Sequence, residues 1–218
     1  MAESPATRGV PAAAETGTET VAAAPAPGGV YAQVCAACHG VNGEGKEELH
    51  SPSITGLPVW YLEEQVKKFR AGTRGFHPED LPGQQMRAIS LTLTDAQIAE
   101  AAATVAAMPI RLTEEPPADF DLETARYRYA NECMECHRYN GKGEIVFHSA
   151  PLISLNRSYL RRQLMNFRSG LRGATEGDLY GAKMVENMKR LTDEEIELFV
   201  NYIGALAHGD DPRGAREK

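Results

Sequence analysis

The chain has 218 residues, of which 42% are hydrophobic and 24% are charged, a composition typical of a globular protein with one or two domains. Its 23 basic and 30 acidic side chains give a formal net charge of −7, which argues against a nucleic-acid partner because such partners favour a clustered basic surface. No apolar stretch approaches the roughly 18 residues that a membrane-spanning helix needs.

Residues 1–29 precede the first predicted helix and are rich in Ala, Pro, Thr and Gly. This composition predicts a flexible arm. The arm lacks the basic start and apolar core of a secretory signal peptide. We therefore expect either that an export signal has been removed or that the arm tethers the protein to a membrane or a partner.

The next element carries a CxxCH motif, and the same motif recurs 98 residues later. Shifting the chain by this distance aligns residues 35–108 with residues 133–206 without a gap and gives 26 identities in 74 positions. This similarity indicates a duplication and predicts two domains, at residues 30–110 and 124–208. The motif residues are Cys35, Cys38 and His39 in the first repeat and Cys133, Cys136 and His137 in the second.

Each repeat is predicted to contain three helices separated by long loops. A short helix carries the CxxCH motif, and a second one runs over residues 59–71 or 157–169, with apolar positions at helical spacing and a glycine after its end. The third begins at Thr94 or Thr192, where capping-box patterns occur. The loop before each third helix is long for a compact domain and contains a methionine, which predicts a functional loop.

Two further segments lie outside the repeats. Residues 111–123 contain prolines and five acidic side chains and predict an extended linker between the domains. Residues 209–218 predict a polar tail.

The CxxCH motif predicts covalently attached haem. Cysteines three residues apart project from one helical turn and can form thioether bonds along one porphyrin edge, while the following histidine binds the iron. A zinc site with all four cysteines as thiolate ligands is the alternative, but it gives no reason for a histidine after each pair. We therefore expect two haem c groups, held by the four cysteines and by His39 and His137.

The sixth iron ligand is predicted to be a methionine in each domain. Met86 and Met184 correspond under the repeat and lie in polar, glycine-rich segments. A thioether sulfur favours the ferrous state and suits an electron carrier. The rivals are His50 and His148, which also correspond, and Met188, whose counterpart in the first repeat is not a methionine.

Other side chains are candidates for the surroundings of the haems. The second N–H of each iron-binding histidine is expected to meet a backbone carbonyl near Pro52 in the first repeat and near Ala150 or Pro151 in the second. Arg74 and Arg172 are candidates to pair with haem propionates. Hydrogen bonds in the same region are expected from Trp60, Tyr61 and Tyr159.

The segments CAACHGVNGEGK, YLEEQVKKFRAGTRG and LTDAQIAE, with a lone methionine before the last, resemble class I cytochromes c. Their tandem two-haem form, the cytochrome c4 family, is the most similar, and the resemblance covers residues 30–208. It implies an all-α fold with two tandem cytochrome c domains related by pseudo-twofold symmetry and with their propionate edges facing each other. It also implies that His39 and Met86 ligate one iron and that His137 and Met184 ligate the other.

The expected function is transfer of single electrons between redox proteins. The donor would be a quinol-oxidising complex or a dehydrogenase, and the acceptor a terminal oxidase or reductase. The alternative is a permanent haem subunit of such a complex, as in the flavocytochromes that this domain type serves. Catalysis, for instance as a peroxidase, would need an open iron position, against which the matched methionines argue. Haem attachment to CxxCH follows export in bacteria, so we expect a periplasmic protein, soluble or tethered to the membrane.

Overall fold

The structure, a computed structural model, describes residues 29–214. The predicted arm up to residue 28 and the last four residues of the predicted tail lie outside the described residues. The described part is helical, and its extended pairing is confined to two isolated bridges, Lys46 with Ser51 and Glu144 with Ser149. The predicted all-α class is therefore confirmed.

The helices fall into two similar sets joined by residues 107–121. In the first domain a π-helical turn (Tyr31–Cys35) leads into α1 (Ala36–His39), and α2 (Val59–Ala71), α3 (Leu81–Ser90) and α4 (Asp95–Ala106) follow. The second domain contains α5 (Leu122–Glu132), α6 (Met134–His137), α7 (Arg157–Ser169), α8 (Leu179–Met188) and α9 (Asp193–Ala207). Short 3-10 turns occupy Glu47–Leu49, Ile145–Phe147 and Pro212–Gly214.

Helices α2 and α7 have the predicted bounds, and each ends at a glycine with φ 78°, Gly72 or Gly170. A left-handed conformation of this kind is easy for glycine and is a common helix terminator. Helices α4 and α9 begin directly after Thr94 and Thr192, and both bonds of each capping box are present. These local predictions are confirmed. Each depends on residues within one helical turn of each other, so the sequence pattern alone is sufficient to predict it.

The predicted long loops before the third helices are wrong in part, because α3 and α8 occupy them and carry the two matched methionines. The Asp80 carboxylate accepts a hydrogen bond from Gly83 N–H and caps α3, and Asp178 caps α8 through Gly181 N–H in the same way. Both helices have a glycine in their first turn, and α3 also contains Pro82 there. These residue types are typical of loops, so the sequence predicts a loop at both positions. Proline is nevertheless tolerated in a first helical turn, where its missing N–H costs no bond.

The apolar core continues from one domain into the other. Leu57 and Tyr61 of the first domain belong to the same buried cluster as Leu160 and Phe167 of α7. The connecting segment packs along the second domain, since Thr113 N–H donates to the Ile153 carbonyl at 2.8 Å. No helix within residues 29–214 is long and apolar enough to cross a membrane.

Candidate haem sites

One continuous cavity runs through both domains, and most of its lining is apolar. A mostly apolar cavity with a few placed polar groups is the usual form of a cofactor site. Domain 2 contributes Phe167 and Leu160 to the lining, and domain 1 contributes Phe69 and Leu57. All four cysteines, both motif histidines and both matched methionines also line it: Cys35, Cys38, His39, Met86, Cys133, Cys136, His137 and Met184.

The cysteines lie on and just before α1 and α6, and none of the four forms a disulfide. Burial, with a smaller contribution from Cys38, raises the pKa of the Cys35 thiol to about 11. Burial, followed by the Glu132 charge, raises that of Cys133 to about 12. Nowhere in the described part of the chain do three His, Cys, Asp or Glu side chains group so as to hold a metal ion. The two CxxC pairs thus lie apart, which fits two haem attachment sites and not one four-thiolate zinc site.

Each motif histidine is fixed by a backbone carbonyl. His39 Nδ1 lies 3.1 Å from the Pro52 carbonyl oxygen, and His137 Nδ1 lies 2.9 Å from that of Ala150. Because a carbonyl only accepts, Nδ1 carries the proton in both rings, and Nε2 is left unprotonated and able to bind a metal. Burial lowers the pKa of both imidazoles, which favours the neutral form that binds metal. Pro151 neither supplies this carbonyl nor lines the cavity.

Two tyrosines that the sequence analysis did not single out anchor the motif helices. The Tyr31 hydroxyl donates to the Gly40 carbonyl at 2.5 Å, and the Tyr129 hydroxyl donates to the Arg138 carbonyl at 2.9 Å. Both side chains are almost completely buried. They also correspond under the 98-residue repeat, so extending the self-comparison four residues upstream would have found them.

The rivals for the sixth ligand position have other contacts. His148 is an exposed side chain, and its Nδ1–H donates to the Glu64 carboxylate at 2.7 Å. His50 is likewise exposed and has left-handed backbone geometry, with φ 56°. Met188 is buried in the core beside α7 and α9. The cavity lining includes all three, so the choice of Met86 and Met184 stays a prediction.

Two arginines, the buried Arg74 and the half-buried Arg172, meet where the cavity passes between the domains. Arg74 donates to Gln65 Oε1 at 2.8 Å and Arg172 donates to Gln163 Oε1 at 2.7 Å, each within its own domain. Both also cross the interface to the glutamine of the other domain, Arg74 to Gln163 Oε1 at 3.4 Å and Arg172 to Gln65 Oε1 at 3.2 Å. Arg74 donates in addition to the Tyr159 hydroxyl at 2.6 Å. These reciprocal bonds follow the pseudo-twofold relation between the domains.

The arginines fit an anionic haem edge. Neither Arg74 nor Arg172 has a carboxylate within ion-pair distance among residues 29–214. Burial, followed by the nearby Arg74 charge, lowers the pKa of Arg172. A buried guanidinium is costly unless an anion compensates its charge, and carboxylates pair well with its planar donors. Haem propionates would supply such carboxylates.

A third guanidinium at this interface was missed by the sequence analysis. Arg162 lines the cavity and donates to the His50 carbonyl at 2.6 Å, while its Nε is buried without a partner. Its repeat counterpart is Glu64, so the self-comparison gave no signal. Trp60 was expected near the propionates but lies outside the cavity lining. Its ring instead contacts Tyr61 edge-on, with ring centroids 5.5 Å apart.

Comparison with known proteins gives the following similarities. The family model for cytochrome c matches residues 28–106 and 124–207. The chain is 28% identical over 181 residues to the thiosulfate dehydrogenase electron acceptor of Stutzerimonas stutzeri, covering 79% of this chain and 78% of that protein. It is 26% identical over 202 residues to cytochrome c4 of Azotobacter vinelandii, covering 88% of this chain and 93% of that protein.

Two solved structures are also similar. Reduced recombinant cytochrome c4 from Pseudomonas stutzeri superimposes with a TM-score of 0.62 at 25% identity, over 78% of this chain and 92% of that chain. A thiosulfate dehydrogenase from Marichromatium purpuratum superimposes with a TM-score of 0.61 at 28% identity. That match covers 78% of this chain but 36% of the longer one.

Proposed function

The chain belongs to the cytochrome c family, and we propose that it passes single electrons between protein partners through two irons ligated by His39 with Met86 and by His137 with Met184. It is a dihaem electron-transfer cytochrome of the cytochrome c4 type, with two covalently bound haem c groups. We place the two domains at residues 30–110 and 124–208, joined by the linker 111–123.

The observation that carries the ligand assignment is that Met86 and Met184 line the cavity in matched positions and are half-buried. By contrast, the matched rivals His50 and His148 are exposed, and Met188 has no methionine counterpart. When bound, haem supplies an iron that exchanges one electron between its ferric and ferrous states. The cysteine thiols would anchor it covalently along one edge. The Pro52 and Ala150 carbonyls orient the two imidazoles and keep Nδ1 protonated. With a histidine on one side and a methionine on the other, neither site would retain an open position for catalysis.

The buried polar groups between the domains support transfer within the molecule. Arg74 and Arg172 are placed to compensate propionate charge, and their bonds to Gln65, Gln163 and Tyr159 join the two domains. An electron that enters at one domain would then cross this interface and leave from the other. A chain with two such sites can bind its donor and its acceptor at different surfaces.

For the donor we propose a dehydrogenase that oxidises thiosulfate or a similar inorganic sulfur compound. The support is the relative named as a thiosulfate dehydrogenase electron acceptor, which matches this chain over most of both lengths. We propose a terminal oxidase or reductase as the acceptor and a quinol-oxidising complex as the competing donor. A periplasmic location follows from the export-linked attachment of haem to CxxCH.

A permanent subunit of a dehydrogenase complex is the second candidate. The observation that favours it is the match to part of a longer thiosulfate dehydrogenase chain. Isolation of the native protein separates the two candidates: a free carrier elutes without a partner and is reduced in a concentration-dependent reaction. A fixed subunit co-purifies with its dehydrogenase at constant stoichiometry.

Absorption spectra of the oxidised and reduced protein, with and without carbon monoxide, test the ligand assignment. We expect two covalent haems, a far-red sulfur-to-ferric-iron band and no change on adding carbon monoxide. A haem that binds carbon monoxide or lacks the sulfur band would show that Met86 or Met184 is not its ligand. Reduction of the oxidised protein by purified thiosulfate dehydrogenase and thiosulfate, with a quinol-oxidising complex as comparator, tests the donor separately.

A further inference from the structure

The two domains contact each other through helices whose charges do not follow the repeat. Helix α2 presents Glu64 and Lys68 toward the second domain, and the corresponding residues of α7 are Arg162 and Asn166. The interface therefore has pseudo-twofold symmetry in its central Arg and Gln side chains, but the charged residues around its edge do not follow that symmetry.

Lys68 contacts the start of the helix that carries Met184. Its Nζ lies 3.0 Å from Asp178 Oδ1, and the Asp178 side chain is only 7% exposed. The same oxygen accepts a hydrogen bond from Gly181 N–H at 3.1 Å and so caps α8. A cation of the first domain thus helps to hold the N-terminal cap of α8, and Met184 lies on α8 about one and a half turns further on.

Glu64 adds a second contact to the same turn. Its carboxylate lies 3.2 Å from Lys68 Nζ and accepts a 2.7 Å hydrogen bond from His148 Nδ1–H. The His148 ring stacks on that of Tyr180, the second residue of α8, with centroids 4.4 Å apart. Residues Glu64 and Lys68 therefore reach α8 by two routes, one direct and one through His148.

The equivalent helix of the first domain, α3, has no such contacts with the opposite domain among the described residues. Asp80 caps α3 through Gly83 N–H at 3.1 Å, but it forms no cross-domain ion pair among the described residues. Asn166 replaces the lysine, and Pro82 replaces the tyrosine. The Arg162 charge acts on Asp80 from a longer distance, while the guanidinium itself donates to the His50 carbonyl.

We propose that Lys68, assisted by Glu64, is a positioning residue through which the first domain holds the Met184 helix of the second domain. Docking of the domains then stabilises the bond between Met184 and its iron, whereas the Met86 bond does not depend on it in the same way. This inference rests on the proposed ligation of the two irons by these methionines.

The test uses the full-length, haem-loaded ferric protein in two reporter backgrounds. Met86→His leaves Met184 as the source of the far-red sulfur band, and Met184→His leaves Met86. Lys68→Gln is introduced into each, and imidazole is titrated while the band is followed. In the Met86→His background we expect imidazole to displace the sulfur ligand at about fivefold lower concentration, the effect of losing one partly buried ion pair. The Met184→His background should show no change.

Three further variants serve as controls. Lys67→Gln removes a neighbouring lysine of α2 that pairs with Glu63 inside the same helix, and it should change neither background. Lys68→Arg should restore the original imidazole titration. Asp178→Asn keeps a capping oxygen and removes the charge, and it should reproduce the effect of Lys68→Gln.

The outcomes separate this inference from the ligand assignment. No change on Lys68→Gln, or an equal change in both backgrounds, would overturn the inference while leaving the ligands as proposed. A Met86→His protein with Lys68 intact that shows no sulfur band would instead overturn Met184 as the ligand, and the inference with it.

Discussion

The Arg74 guanidinium of the first domain donates a 2.6 Å hydrogen bond to the Tyr159 hydroxyl of the second domain. Burial acts to raise the pKa of Tyr159, but the charges of Arg74 and Arg172 outweigh it and lower the pKa of this phenol. Arg74 also lies over the Phe69 ring at 4.3 Å. The domains are thus joined by a buried cation as well as by apolar packing, at the place where the cavity passes between them.

Replacing Arg74 with methionine should lower the midpoint potential of the haem bound at Cys35 and Cys38. A nearby cation favours the ferrous over the ferric state, and at an assumed separation of about 10 Å and an effective dielectric of about 20 the effect is about 1–2 kcal/mol. Spectroelectrochemical titration measures it. Arg70→Met is the control, because Arg70 lies on the same helix but pairs with Asp95 near the surface. A potential that stays constant or rises would contradict the placement of Arg74 beside the propionates.

Removal of either cysteine pair should halve the covalent haem content. The Cys35→Ser, Cys38→Ser double variant and the Cys133→Ser, Cys136→Ser double variant should each retain one haem c per chain, because each motif attaches its haem independently. Haem content is measured from the alkaline pyridine spectrum and from intact mass. Loss of both haems from one double variant would mean that attachment at the two motifs is coupled.

Alanine at Gly75 should disturb the Met86 site alone. Gly75 has φ 68°, and an added Cβ would lie 2.2 Å from the Gly83 carbonyl oxygen in the first turn of α3. The left-handed backbone costs about 1–2 kcal/mol for alanine, and the contact must also push α3 away. We expect loss of the sulfur band from one haem only.

Gly177→Ala provides the matched control for this effect. Gly177 has φ 86°, but an added Cβ there would meet no atom within 4 Å. Its strain should lower thermal stability slightly while both sulfur bands remain. If Gly177→Ala removed a band as readily as Gly75→Ala, backbone strain and not the close approach to α3 would be responsible.

Asp210 should make stability sensitive to acid. Its carboxylate accepts a 3.0 Å hydrogen bond from Arg126 Nε on α5. Burial acts to raise the pKa of Asp210, but the hydrogen bonds and charge of Arg126 outweigh it and hold the pKa below its usual 3.8. A lowered pKa contributes stability that is complete above the unfolded value and is lost as the pH falls through the folded one. The contribution should therefore be constant from pH 7 to about pH 5, begin to decrease at about pH 4, and be lost only as the pH falls through the lowered folded-state pKa.

Denaturant unfolding of Asp210→Asn across this pH range checks the prediction. At pH 7 the variant should be about 1 kcal/mol less stable, and the difference should shrink as the pH falls below about 4. Glu186→Gln is the control, since Glu186 is an exposed partner of Lys189 three residues away. A difference that is the same at pH 3 and pH 7 would show that the charge of Asp210 does not contribute.

Much of this protein was determined by local sequence. The CxxCH motifs, the end of α2 at Gly72 and the capping boxes at Thr94 and Thr192 all involve residues within a turn or two of each other, and the 98-residue duplication is an identity of sequence that needs no contact between its halves. Interactions over such short separations form wherever the chain folds, so the sequence reveals them directly.

Only the tertiary structure decided the features that depend on distant residues. The sequence did not predict that the segments of α3 and α8 are helical, because glycine and proline in them favour a loop. In the folded protein the Asp caps and the close glycine contacts, such as Gly75 against Gly83, outweigh that preference. The contacts of Lys68 and Arg162 with the opposite domain could not be read from a self-comparison that pairs them with Asn166 and Glu64. Duplication preserves the interactions that each domain needs to fold. The rim of the interface instead joins nonequivalent residues about 110 positions apart. These residues come into contact only when the domains dock, so no local pattern predicts their pairing.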